Sequence, residues 1–455
     1  MKSRYIIWGI VGILLFSVVV STFSAAQKEK VSTPSLRDEE LLGDDRIGNP
    51  NAKTTITWLN HPNFTIKSPV TGMKEHLEKA FIRWARNHLD FQVNISVFPL
   101  NIDEAMTRLQ EQAAAGRAPD FSLIDSFFLP RFIPYLQPLD HLVSKEEVDD
   151  FVEFARKEMT QPDGRIRAFW FFTDCRVLYY RKDLIPNPPR TWEELIQIAS
   201  DFSRRGITGY IYPGGRGEPV VMEHLPMFWS QGGELVDGTG KPIFAEGANR
   251  EAWIKVLRFL RETITSGASP ARVVNFNLEA NMLPEIYQHN VAMWLGGSWQ
   301  IRQLQDNLGE RLQVWDVTFP PKPTKDAPDI TAVGGWTIGV FTKDPAKQRA
   351  IVNLIREGFA GTEGMRGFVT ALRALPTRQS VIAAGGSYFN DPYIQKFFDM
   401  VKKGGRPRPG AVIYPTISRE LQVAISSVIA GNRTPEQAID EAGKRVAEEY
   451  TAMKR

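Results

Sequence analysis

The chain has 455 residues, 43% of them hydrophobic and 24% charged, which makes it globular and long enough for two bodies with separate cores. Its formal charge of +3 falls to about +1 without Lys2 and Arg4, a balance that excludes a strongly basic nucleic-acid surface. The only cysteine, Cys175, excludes an internal disulfide.

The opening segment "MKSRYIIWGIVGILLFSVVVSTFSAAQ" has a basic start, an uncharged run from Tyr5 to Gln27, and small residues Ser24 and Ala26 placed for a signal peptidase. Residues 1–26 are expected to be a signal peptide. The uncharged run also approaches the roughly 20 residues that span a bilayer, so a retained membrane anchor is the alternative. Either way the protein is expected to be exported, to the periplasm or the outer face of the cytoplasmic membrane. Residues 27–53, charged and poor in aromatics, read as a flexible tether.

Next comes a strand, "TTITWLN", then a helix whose buried face is Met73, Leu77, Ala80, Phe81 and Trp84, then a second strand, "FQVNISVF". A helix over "DEAMTRLQEQAAAG" leads into "PDFSLID". This alternation predicts an α/β sheet with helices on its faces, and such sheets place ligands beyond the carboxyl ends of strands. The loops after Asn60 and Asp125 are therefore candidate site loops.

The aromatic string "AFWFFTDCRVLYYRK" runs into "DLIPNPPRTWEEL", where prolines block regular structure just before a helix start. Thr191 and Glu194 have the spacing of a capping box, and Leu195, Ile198, Ala199 and Phe202 follow as a face to be buried. A long helix over "REAWIKVLRFLRETITSG", strands over "VAMWLGGSW" and "GGWTIGVF", and a helix capped by Asp344 with Pro345 at its first position come next. "TPEQAIDEAGKRVAEEY" repeats the capping box with Thr434 and Gln437. The basic tract "KKGGRPRPG", Lys402 to Gly410, reads as a solvated Pro/Gly loop.

In order, "PDFSLID", "AFWFFTDCRVLYYRKDLIPNPPRTWEEL", "WSQGGELVD", "VAMWLGGSW", "GGWTIGV", "LPTRQSV" and "RPRPGAVIYPTISRELQVAISSVIAGNRTPEQAI" make a pattern that resembles the sugar-binding extracellular solute-binding proteins of ABC importers, the maltose-binding group. The resemblance covers nearly all of the chain after Thr54. It implies an α/β, two-lobed periplasmic-binding-protein-like fold, each lobe a mixed sheet flanked by helices, with the ligand in a cleft between lobes that close by a hinge. The lobes would be residues 54–170 plus 337–385 and residues 171–336 plus 386–455, with crossings near Trp170, Trp336 and Gly385. It implies a monomer with a carbohydrate ligand and membrane permease subunits as partners, no cofactor, no nucleic acid and no catalysis.

A sugar offers hydroxyls to carboxylates and amides, and apolar C–H faces to aromatic rings. By resemblance, Trp299 is the first stacking candidate, with Gly297 and Ser298 letting a ligand approach the backbone. Trp336 follows, with Gly335 serving the same purpose. Trp229 lines the cleft or supports it. Asp174 matches a cleft carboxylate of maltose binders, and Arg176 is the neighbour that would otherwise satisfy it. Asp125 and Ser126 end a strand at a site loop, where Asp125 could instead cap the next element. Glu218, His61 and Asn63 fall where relatives contact ligand, and Arg373 is a hydroxyl donor or an exposed arginine. Val220 and Ser418 replace rings of the maltose binders, which puts maltose itself in doubt while leaving the sugar class. Two other functions fit the same residues: an exported glycoside hydrolase using Asp125 and Asp174, and a receptor for a phosphorylated polyol, favoured by an arginine cluster in the cleft.

Overall fold

The computed structural model describes residues 36–99, 101–160 and 163–454. The expected leader, residues 1–26, lies outside them, and among the described residues no helix is long and apolar enough to cross a membrane. The strands are β1 (Leu42–Gly43), β2 (Arg46–Gly48), β3 (Thr54–Asn60), β4 (Phe91–Val97), β5 (Phe121–Asp125), β6 (Ala168–Arg181), β7 (Thr208–Ile211), β8 (Val291–Gly297), β9 (Trp315–Thr318), β10 (Thr331–Val340) and β11 (Gly405–Pro407). They hydrogen-bond in the order β1-β2-β4-β3-β5-β10-β6-β8-β7, with β11 on β10 and β9 on β6.

β3 is parallel to both β4 and β5, so each connection must cross over, and the helices Met73–Asn87 and Ile102–Ala114 do this. The first buries the expected face, from Met73 to Trp84, and Trp84 Nε1 donates to the Ala350 carbonyl at 2.8 Å, fixing it to the helix Pro345–Ile355. On the other side, β8 pairs in parallel with β7 and antiparallel with β6. Here the helix Gly247–Thr265 packs on Tyr414–Ile429 and Pro435–Met453.

β6 joins the two regions. Thirteen of its 14 residues are buried, all but Arg181. Residues up to Cys175 pair with β10, and from Arg176 onward the strand pairs with β8 and then also β9. Downstream, the prolines deliver the chain to the helix Trp192–Arg204. There Thr191 Oγ1 accepts from Glu194 N at 3.3 Å and the Glu194 carboxylate accepts from Thr191 N at 3.4 Å, the reciprocal box expected from sequence. Leu195, Ala199 and Phe202 are buried, and Ile198 is half-buried.

Two expectations are corrected. Residues 38–48, assigned to the flexible tether, are folded: a short helix at Asp38–Leu41 leads through β1 into β2, which pairs antiparallel with β4. Leu41 and Ile47 are fully buried, and the strand covers an edge of β4 that would otherwise expose backbone donors and acceptors. The tract "KKGGRPRPG" is not wholly solvated either. Lys402 and Lys403 are exposed, but Gly405–Pro407 form β11 in parallel with β10, and Arg408 is buried.

Gly335 has φ +148°, and a Cβ there would stand 2.2 Å from the Phe172 carbonyl and 2.4 Å from Trp170 Nε1. Next to it the β10–β6 register shifts between Trp336 and Thr337, a bulge that leaves Phe171 unpaired and re-aims Trp336. Gly335 thus serves the packing of β6 on β10, not the approach of a ligand. Gly335→Ala is expected to lower the unfolding free energy by about 2 kcal/mol or more, from strain and forced displacement. Denaturant titration checks this, and a change under about 0.5 kcal/mol would contradict it.

Candidate functional site

Two buried arginines organise the polar groups where β5, β6, β8 and β10 meet. Arg408, just after β11, donates through Nη1 to Glu218 at 2.9 Å and through Nη2 to Asp125 at 3.0 Å and Ser126 Oγ at 3.2 Å. Its guanidinium carbon lies 4.3 Å from the centre of the Phe127 ring. Glu218, 7% exposed at the start of a short helix, also accepts from Tyr414 at 2.6 Å and from Ser418, and Gln422 in turn donates to Ser418 at 3.1 Å.

Arg176 is the second centre. It donates through Nη1 to Asp174 at 2.7 Å and brings Nε within 3.3 Å of Glu223, while its guanidinium stands 4.5 Å over the Trp299 ring. Trp299 is half-buried, and its ring folds back on Gly297, where a Cβ would stand 1.8 Å from it. The two centres adjoin at Gly334: a Cβ there would be 3.2 Å from Arg408 Nη2 and 3.3 Å from Asp174 Oδ1.

An aromatic wall completes the region. Trp336, also half-buried, stacks on Phe98 with ring centres 5.5 Å apart, and His61 approaches it edge-on at 5.4 Å. Burial pushes the His61 imidazole down to about 4, so it is neutral at pH 7. Asn63 is half-buried in the same turn, where its N–H donates to His61 Nδ1 at 3.0 Å.

The expected residues therefore divide. Asp125, Ser126 and Glu218 gather on Arg408, Asp174, Gly297 and Trp299 gather at Arg176, and His61, Asn63 and Trp336 form the wall. Asp125 Oδ1 also accepts from Phe127 N at 3.4 Å within the turn after β5, while the short helix that follows, Leu129–Phe132, starts from Phe128 without a side-chain cap. Three others are engaged with the protein itself. Ser298 is fully buried, with its Oγ accepting from Cys175 N at 3.1 Å and its N–H donating to the Cys175 carbonyl at 2.8 Å, so it clamps β8 to β6. Trp229 is 3% exposed under Arg406, which stands 4.7 Å from its ring centre, and so supports its surroundings. Arg373 donates to Gln305 at 2.9 Å and pairs with Asp391. Arg408, Tyr414 and Glu223 were not foreseen. The conspicuous signal was an arginine between two prolines in a loop otherwise read as solvated.

Burial sets the protonation of the acids. It pushes Asp125 up to about 6, with Arg408 opposing and the Glu218 charge adding, and pushes Asp103 up to about 7, aided by Glu218. Both folded values lie above the ordinary 3.8, so the folded protein binds these protons more tightly than the unfolded chain does. The share of stability these two acids contribute is thus expected to fall as pH rises from about 4 to about 7, opposed over the same window by His61 and His224, whose folded values near 4 lie below the ordinary 6.5. Carboxylates held low, such as Asp183 beside Arg181, titrate below that window. Urea unfolding of the ligand-free protein beside Asp103→Asn isolates the acid: the parent should lose stability relative to the variant as pH rises across the window, and a constant difference would contradict this.

Among the described residues no cluster of His, Cys, Asp and Glu could hold a metal ion.

Comparison with known proteins bears on this geometry. A family model described as bacterial extracellular solute-binding protein matches residues 80–396. A probable amino-acid ABC transporter periplasmic-binding protein of Sinorhizobium fredii is 28% identical over 164 residues, 36% of this chain and 35% of that protein. A probable ABC transporter-binding protein of Deinococcus radiodurans is 32% identical over 200 residues, 41% of this chain and 46% of that protein. In both cases this chain spans less than half the length of the relative. Among solved structures, maltose-bound MalE3 of T. maritima superposes with a TM-score of 0.73 at 22% identity, covering 86% of this chain and 99% of that one. The fold is two-lobed and α/β, as in that neighbour.

Proposed function

We propose, from the premise that this chain belongs to the bacterial extracellular solute-binding proteins, that it is the exported receptor of an ABC importer. It captures a di- or oligosaccharide between its lobes and delivers it unchanged to permease subunits. The carrying observation is the half-buried Trp299 beside the buried Asp174–Arg176 pair, a ring for C–H faces next to groups that bond hydroxyls. The lobes, residues 54–170 plus 337–385 and 171–336 plus 386–455, would act as a monomer. Support comes from the helix Thr362–Leu372 packing on Met73–Asn87, and from Tyr414–Ile429 packing on Gly247–Thr265.

An α-amino acid or a phosphorylated polyol fits less well. Each brings an anion that needs a free cation, and Arg176 and Arg408 are already held by carboxylates. The test is to mix the full-length protein, purified in mild detergent, with maltose, maltotriose, cellobiose and mannobiose. Tryptophan fluorescence and melting temperature are read, followed by chromatography of the sugar. A saturable, reversible rise in melting temperature with the sugar recovered intact is the expected result. Cleaved sugar would make the protein a hydrolase and overturn the reading, as would the absence of any shift across a wide sugar panel.

A further inference from the structure

One segment of the first proposed lobe lies along one segment of the second. Asp125 and Ser126 bond Arg408, the Phe127 ring meets the Tyr414 ring edge-on with centres 5.7 Å apart, and Arg131 ends the run. Arg131 belongs to the short helix Leu129–Phe132, which packs on Ile102–Ala114 and is anchored by the fully buried Leu129 and Phe132. Arg131 itself is half-buried and reaches the other lobe twice: Nε donates to the Val412 carbonyl and Nη2 to Thr416 Oγ1, each at 2.9 Å. Thr416 is fully buried in the first turn of Tyr414–Ile429, and its hydroxyl donates in turn to Glu449 Oε1 at 2.6 Å. A hydroxyl has one proton to give, so accepting from a cation while donating to an anion fixes its orientation and makes both bonds charge-assisted.

Resting on the receptor reading above, and on the lobes proposed with it, we infer that Arg131 is a positioning residue for closure, which slows the escape of any bound saccharide by holding the lobes together without touching the ligand. Both of its bonds run from one lobe to the other, so a sugar held between the lobes leaves only after they part. They sit at the wet end of the seam. Val412 is 50% exposed, and water replaces Arg131 at its carbonyl when the lobes separate. Arg408, at the other end, cannot be cut so cleanly, because its removal strips the cation from two carboxylates, Glu218 and Asp125. Removing Arg131 strips none: Glu449 keeps Arg419 at 2.7 Å and the Thr416 hydroxyl at 2.6 Å. Closure can therefore be weakened at Arg131 with both lobes intact.

The experiment compares the full-length protein with Arg131→Met by stopped-flow tryptophan fluorescence, using each of maltose, maltotriose, cellobiose and mannobiose that the parent binds. Dissociation is expected to quicken about tenfold, by the same factor for every sugar, while association changes by less than about threefold. Thr416→Val should act in the same direction, and the double variant should release sugar no faster than Arg131→Met alone, because the two cut one connection. Thr416→Val carries the test should Arg131→Met not fold. An unchanged dissociation rate, or a loss confined to association, would overturn this inference and leave the receptor reading standing. So would a factor differing more than about tenfold between sugars, the mark of a group that touches the ligand. Failure of every sugar to bind the parent would overturn the receptor reading, and this inference with it.

Discussion

Replacing Arg408 with methionine is expected to remove about 3–5 kcal/mol from the unfolding free energy of the ligand-free protein at pH 7, the range for stripping one partner from a buried ion pair. The side chain is 7% exposed and bonds Glu218, Asp125 and Ser126 at once, and Glu218 shares its oxygens with Tyr414 and Ser418. Without the guanidinium, two carboxylates stay buried with no cation between them. The penalty should shrink toward about pH 5, because Asp125 takes up a proton near 6 and ceases to repel Glu218. Glu218→Gln in the same background should recover part of the loss, and that coupling identifies the pair as the source. A variant within about 1 kcal/mol of the parent, measured by urea unfolding, would show that Arg408 is not the hub described.

Trp299→Ala is expected to weaken sugar binding by more than about tenfold, or about 1.4 kcal/mol, by removing the ring against which a sugar face packs. The ligand-free protein should lose far less. The ring is half-buried and Arg176 stands 4.5 Å from its centre, an interaction of about 0.5–2 kcal/mol. The two readouts separate the possible roles. Unchanged affinity would place the ring outside the site, and a collapsed ligand-free melt would make it part of the core.

What could be read from the sequence was what is decided locally. The capping boxes at Thr191 and Thr434, the Asp344–Pro345 helix start and the buried face of Met73–Asn87 formed as expected, because each depends on residues within a turn or two of one another. Asp174, Trp299, Asp125 and Glu218 were found because a family pattern surrounds them, and the structure gathers them on two arginines. Arg408 escaped because its burial is made by partners remote in the chain, Glu218 at a separation of 190 residues and Asp125 at 283. Local composition around it, rich in glycine, proline and lysine, carries only the signature of a loop. Ser298 was misread for the opposite reason: a small residue beside a candidate ring looks like room for a ligand, and only the pairing of β8 with β6 shows its hydroxyl spent on Cys175.

The continuity of β6 has a thermal consequence. Since one strand supplies backbone partners to β10 at one end and to β8 and β9 at the other, neither half can melt without stripping the ladder that the other half needs. Scanning calorimetry of the body is therefore expected to give a single endotherm whose van't Hoff and calorimetric enthalpies agree, where two independently built halves would give two.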